Sequence, residues 1–421
     1  MLIAVLVFVF LLGLCVGSFL NVVVYRLPRG ESLIHPPSRC PSCERRLAWY
    51  DNVPVLGWLK LRGRCRWCRR PISPRYPIVE AATGLLFAGY AAAVFVWGWG
   101  PCPATAYAAF DEVGLPVPPP LPDVTLHWPL LVLHLGLLAV LLAASLIDLE
   151  TFTIPGSLPL TAAVIGLAGH TLLMSPGTPG QLHVSASLAL PAAGAVAGYL
   201  VSLGLFRLGV IPLSFPDGEP MLLDLAEWEA EMAAAKAEGR PATVPETPPL
   251  VWTRRMLARE MLKEIAFLLP PVAGFAVGAA ALAWVPAASS WSAWLSGQSM
   301  VAGFLGAALG AMVGGGFIWL VRIAGTLGFG KLAMGLGDVH LMAGVGAVVG
   351  GVVATSALFL GAVVGLVVVA YGAIVHRQRE VPFGPYLAAG TLLGMVLACP
   401  LSRHASSAWD GFVVSLRQLG G

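Results

Sequence analysis

The chain has 421 residues, 57% of them hydrophobic and 11% charged, with a mean hydropathy of +0.80. Soluble domains carry about a quarter charged residues, so a soluble globular class is excluded and an all-α polytopic membrane protein is expected. The net charge of +3 is too small to argue for nucleic acid as a partner, and the lipid bilayer is the partner composition implies.

Ten apolar runs read as transmembrane helices. The first, about Leu2 to Val24, has no charge before Arg26 and is long enough to span, so it is expected to be a helix and not a cleaved signal. Of the 25 Lys and Arg, 12 fall between Arg26 and Arg75, whereas Gly98 to His127 has none. This asymmetry places the first loop in the cytoplasm and the N-terminus outside. The second helix, about Pro77 to Trp97, leads to a proline-dense external segment between Pro101 and Pro122. The third, about Trp128 to Ile147, runs inward and delivers Asp148 to the cytoplasmic face. Pro155-Gly156 then breaks the chain before the fourth, about Leu158 to Met174.

The fifth, about Val184 to Leu208, leads to Pro212–Lys263, the one stretch of soluble composition, which is expected to be an accessory. It should contain one helix, Leu222 to Lys236, and a linker, Gly239 to Pro249. The sixth to tenth helices follow at about Ile265–Val285, Met300–Ile323, Val339–Val353, Ala354–Val375 and Pro385–Leu397, with Arg322 and Lys331 marking cytoplasm. The expected organisation is 1–25 as the first span, 26–76 as a cytoplasmic four-cysteine loop and 77–208 as helices carrying Asp148. Residues 209–263 form a soluble cytoplasmic insertion, and 264–421 carry the Asp338 segment.

Two constellations carry chemistry. Cys40-Pro-Ser-Cys43 and Cys65-Arg-Trp-Cys68 are two CxxC knuckles separated by 21 residues, within a residue of the usual spacing of a four-thiolate zinc ribbon. The alternatives are two disulfides or free thiols, and a reducing cytoplasm disfavours the first. Cys15, Cys102 and Cys399 are isolated and read as packing residues. The second constellation is Asp148 with Asp338, the latter set between glycines in Met334-Gly-Leu-Gly-Asp338. Carboxylates at membrane helix ends are either snorkelled charges, partners for Lys331 or His340, or functional groups. Two on one face can share a proton, leaving one as general base and the other as acid. No phosphate-binding glycine loop or Ser/His/Asp nucleophile set is present, and His134 and His170 read as packing residues.

Several blocks in order resemble the bacterial type IV prepilin peptidases, the bifunctional leader peptidase and N-methyltransferase family of pilus assembly and type II secretion. They are Gly17 to Pro28, the two knuckles around Asp51-Asn-Val-Pro-Val-Leu56, and Ile72-Ser-Pro-Arg-Tyr-Pro-Ile-Val-Glu80. Ile147-Asp148 with Ile154-Pro155, Met334 to Asp338, and Pro382-Phe-Gly-Pro385 complete the set. The resemblance implies a bacterial inner-membrane aspartyl endopeptidase that cuts prepilin or pseudopilin leader peptides at the cytoplasmic face, with Asp148 and Asp338 as its catalytic pair. It also implies methylation of the new N-terminus from S-adenosylmethionine. Three departures stand out: His340 where a Lys is usual, Gly156 where an acid is usual, and Leu208–Ser299, which has no counterpart. The competing class is an ion- or proton-coupled transporter using the two carboxylates, which gives no reason for the four cysteines. A binding scaffold with a dead site is a third, and both aspartates argue against it.

Overall fold

The computed structural model describes residues 2–100, 123–173, 178, 180–215, 225–239, 253–375, 382–399 and 401; the expected external proline-rich segment and the Gly239–Pro249 linker lie largely or wholly outside them. Each of the ten expected spans is an apolar helix. In chain order the helices are α1 (Leu2–Arg26), the short α2 (Leu56–Lys60), α3 (Arg75–Phe95), α4 (Val124–Thr151), α5 (Ser157–Ala168), α6 (Ala189–Arg207) and α7 (Leu225–Glu238). They continue with α8 (Arg254–Trp284), α9 (Pro286–Gly297), α10 (Ser299–Phe329), α11 (Leu336–Val349), α12 (Gly351–Val375) and α13 (Gly384–Val396). Seven are long and apolar enough to cross a membrane; the helical stretch Ser157–Leu173, α11 and α13 are shorter apolar helices.

Some boundaries differ from expectation for local reasons. α8 begins eleven residues before Ile265 because Thr253 caps it, its side chain accepting the Met256 amide at 3.3 Å. The end of the polar stretch is thus continuous with the span. α4 begins at Val124, where the Asp123 carboxylate accepts the Thr125 amide at 2.9 Å. α9 was not expected at all: its Trp291 and Trp294 are exposed, while Ser292 is buried and bonds the Ala186 carbonyl and Leu190 amide. Twelve residues are too few to span, and hydropathy alone does not distinguish such a helix from a loop.

The chain forms two compact units. The first comprises Met1–His183, Gln298–Gly315 and His340–Gly421. In it α1 lies on α3 at backbone contact: a Cβ on Gly13 would lie 2.7 Å from the Gly84 Cα, and one on Gly17 2.7 Å from the Glu80 Cα. Only glycine allows that approach, which replaces side-chain packing by close backbone dispersion where lipid gives no hydrophobic drive. α4 is the most enclosed of the long spans. α5 runs beside α11 in the same direction, with Gly344 against Pro159 and Ala162, and His170 beside Val348. The start of α5 and the His340 end of α11 therefore share the end of this unit at which α4 finishes.

Both membrane histidines are buried and bonded. His170 accepts the Leu182 amide at Nδ1, so Nε2 carries the proton and donates to the Val348 carbonyl at 2.9 Å. His134 Nδ1 is paired with the Tyr90 hydroxyl. Cys399, expected as a packing residue, is disulfide-bonded, and its amide donates to the Gly100 carbonyl just beyond α3.

The second unit comprises Val184–Gly297 and Gly316–Val339. α6 and α8 pack as a hairpin, and Phe215, Leu257, Met261, Ile323 and Leu332 form a buried cluster with Ile265, Leu268 and Trp319 against it. The end of α10 and the chain leading to Asp338 are built into this unit.

Candidate active site and thiolate centre

The four-cysteine loop is two copies of one turn. In the first, the Cys40 amide donates to the Arg45 carbonyl and the Glu44 amide to the Cys40 carbonyl; in the second, Cys65 and Arg70, and Arg69 and Cys65, do the same. Glu44 and Arg69 occupy the same left-handed position, at φ +54 and +60. Single bridges Arg39 to Arg46 and Arg64 to Pro71 close the turns. All four cysteines are free thiols, and their sulfurs lie within 4.8 Å of one another. Cys40 Sγ and Cys68 Sγ are 3.8 Å apart, which matches the edge of about 3.8 Å that a tetrahedron with Zn–S bonds of about 2.3 Å requires. The residues present fit a structural zinc ion.

The thiols already differ in acidity. Burial opposes ionisation of Cys40, but the Cys43 and Ser42 amides and neighbouring thiols outweigh it and lower its pKa to about 6. The Arg45 amide lowers that of Cys43, but burial and the neighbouring sulfurs prevail, raising it to about 11.

The loop is braced from outside the knuckles. Arg66 grips both carboxylate oxygens of Asp51, with Nε 2.7 Å from Oδ2, and holds the Asp51 carboxyl below the usual carboxylate range. Val55, at φ +59, donates its amide to Glu80 Oε2 at 2.6 Å, and Glu80 is buried on α3. The Trp58 indole donates to the Ile72 carbonyl at 3.1 Å. These bonds account for the Asp51 to Leu56 and Ile72 to Glu80 blocks as the frame of the thiolate centre.

Asp148 sits in the last turn of α4, which Phe152 ends in a left-handed cap. Asp148 is 6% exposed, and its carboxylate accepts the Gly384 amide at 2.9 Å. A Cβ at Gly384 would lie 2.6 Å from Asp148 Oδ2, so the Pro382-Phe-Gly-Pro385 block brings bare backbone onto the carboxylate. Glu150 pairs with Arg75 at the start of α3, so the exit of the thiolate loop and the Asp148 end of α4 lie together.

Asp338 lies in the first turn of α11, where the positive end of the helix dipole favours a carboxylate, and is partly exposed. His340 is exposed. α10 ends at Gly330 (φ +69), and the Ala333 amide donates to the Thr326 hydroxyl at 3.2 Å. Arg322 is fully buried: it pairs with Glu264 on α8 at 3.1 Å and donates from Nη1 to the Met334 carbonyl. The missed residues are thus Gly384, Glu80, Arg66, Glu264 and Arg322. One of them, Arg322, is a lone charge within an apolar run, which is the signal that could have found it; Glu264 closes a run of charged residues and has no such mark.

Residues 11–94 match the family model described as the bacterial peptidase A24 N-terminal domain. A prepilin leader peptidase/N-methyltransferase of Myxococcus xanthus (strain DK1622) is 64% identical over 81 residues, 19% of this chain and 24% of that protein. One of Klebsiella pneumoniae is 55% identical over 91 residues, 20% of this chain and 40% of that protein. The chain thus spans a quarter to two fifths of the length of these two relatives. One of Burkholderia pseudomallei (strain 1026b) is 37% identical over 253 residues, 53% of this chain and 68% of that protein. No solved structure matches. Identity at that level across two thirds of a relative's length means that the chain belongs to the prepilin leader peptidase/N-methyltransferase family.

Proposed function

We propose that this protein is a membrane aspartyl endopeptidase that removes the leader of prepilin or pseudopilin substrates at the cytoplasmic face, with Asp148 and Asp338 as its reactive pair. The observation that carries the reading is a buried carboxylate at a helix end, held by the Gly384 amide, in a chain of this family. Asp338 adds to it as a second carboxylate at a helix end, in the first turn of α11, where the helix dipole favours the ionised form.

In this reading the two carboxyl groups hold one proton between them. The ionised one takes a proton from water as the oxygen attacks the scissile carbonyl carbon, while the other protonates the carbonyl oxygen. The resulting diol collapses as the C–N bond breaks and the leaving amine accepts a proton. Cys40, Cys43, Cys65 and Cys68 would hold zinc, whose part is to tie the two knuckles together; it takes no part in cleavage. The relatives' shared name includes an N-methyltransferase, and we extend the reading to methylation of the new N-terminus with S-adenosylmethionine as donor.

Sidedness is supported by redox chemistry. The four free thiols share the Arg75 and Glu150 end with Asp148, whereas the disulfide-bonded Cys399 is bonded to Gly100 beyond the other end of α3. This fits an inner-membrane protein with the thiolate loop in the cytoplasm and the N-terminus outside.

The test is incubation of the purified protein with a prepilin and mass measurement of both products. Loss of the leader, followed by the mass of one methyl group when the donor is added, is the expected result. No cleavage together with proton-coupled flux in vesicles would favour the transporter reading.

A further inference from the structure

The segment Val184–Gly297 stands outside the motifs that tie this chain to its family, yet it supplies a buried carboxylate to the chain that leads to Asp338. Glu264 of α8 has a side chain 2% exposed. It accepts from Trp319 Nε1 at 2.6 Å, and from Arg322 Nε at 3.2 Å and Nη2 at 3.1 Å. Arg322, itself fully buried on α10, donates from Nη1 to the main-chain carbonyl of Met334, four positions before Asp338. The guanidinium carbon lies 5.6 Å from the centre of the Phe215 ring.

A guanidinium is a rigid planar fork, so seating two of its nitrogens on Glu264 fixes the direction of the third. That third nitrogen holds the Met334 carbonyl, and Thr326 holds the Ala333 amide at 3.2 Å. The turn between α10 and α11 is therefore pinned at two consecutive residues. A buried ion pair is a poor way to gain stability, because an apolar pair of similar volume often does as well or better. A geometric role accounts for it.

We propose that Glu264 and Arg322 are positioning residues for Asp338: the inserted helix α8 sets, through Arg322 and the Met334 carbonyl, how α11 begins and how its first-turn carboxylate is presented. The inference rests on the reading that Asp338 is one of the reactive carboxylates. It makes the inserted helix α8 a working part of the peptidase, whereas its soluble extension can remain an accessory.

The test uses the full chain carrying Glu264→Leu with Arg322→Met, which replaces the ion pair by an apolar pair and so keeps the fold. With a purified prepilin as substrate, kcat should fall about 100-fold, the cost of roughly an ångström of misplacement, while KM, zinc content and Tm stay at wild-type values. Arg322→Lys, which keeps the charge but cannot reach Glu264 and Met334 together, should lose kcat as well. Wild-type kcat in either folded variant would overturn the proposal. Hydrogen exchange separates this from failure of the peptidase reading: the amides from Gly335 to Val339 should exchange faster in the double variant, whether or not the wild type cleaves. Unchanged exchange there would overturn the clasp even if activity fell.

Discussion

Gly384 and Asp148 show how little room a carboxylate at a helix end can have. Gly384→Ala would drive a methyl group to 2.6 Å from Oδ2, so the α13 terminus or the carboxylate must shift. We expect a loss of about 1–3 kcal/mol in stability and a fall in cleavage larger than that loss explains, read by Tm and kinetics on the same preparation. Asp148→Asn and Asp338→Asn should each abolish cleavage while leaving fold and zinc intact, since the amide keeps shape and loses the ionisable proton. Robust cleavage by either variant would remove the aspartyl mechanism. The Asp51 and Arg66 clasp has a pH signature. Arg66 lowers the Asp51 pKa, so its stabilisation is fully present above the unfolded carboxylate value of about 3.9 and is lost as pH falls from there through the depressed folded value. Arg66 is about a third exposed, so solvent screening keeps the effect small; Asp51→Asn should remove that acid-dependent part, seen by fluorescence of the neighbouring tryptophans. The clustering of the four cysteines was legible from spacing, and the two candidate aspartates from residue type. The groups that hold them were not, because a glycine amide and a main-chain carbonyl have no side-chain signature.

At the scale of elements, hydropathy located all ten apolar helices, because a span must satisfy its backbone internally and needs an unbroken apolar run. It missed what is not set by lipid: α9, which is too short to span, and the early start of α8, which a threonine cap decides. The thiolate loop was legible as two knuckles, but its bracing through Glu80 and Trp58 depends on residues at a distance in sequence. Cys40→Ser or Cys68→Ser opens the tetrahedron, and elemental analysis should then show loss of the single zinc. Protein purified without chelator and containing no metal would sink the zinc assignment.

For the whole molecule, two compact units were not evident from sequence, since the second is assembled from Val184–Gly297 and the Gly316–Val339 stretch of the later chain. Composition marked only its polar part. Membrane orientation has a direct measurement: with Thr153→Cys, an exposed position just past α4, a membrane-impermeant thiol reagent should label inverted vesicles and spare right-side-out ones. The opposite pattern would reverse the proposed topology.

The glycine seam of α1 and α3 bears on the order of synthesis. Gly13 and Gly17 meet Gly84 and Glu80 within the first 95 residues, and the thiolate loop lies wholly between them. The seam itself and the thiolate loop's own bonds need nothing from α4, although α3 later receives Glu150 and His134, and chains assemble from the N-terminus as they emerge. A ribosome-stalled chain released just beyond α3 should already carry its metal and resist protease. A chelator present during translation should then do damage that the same chelator, added to the finished protein, does not.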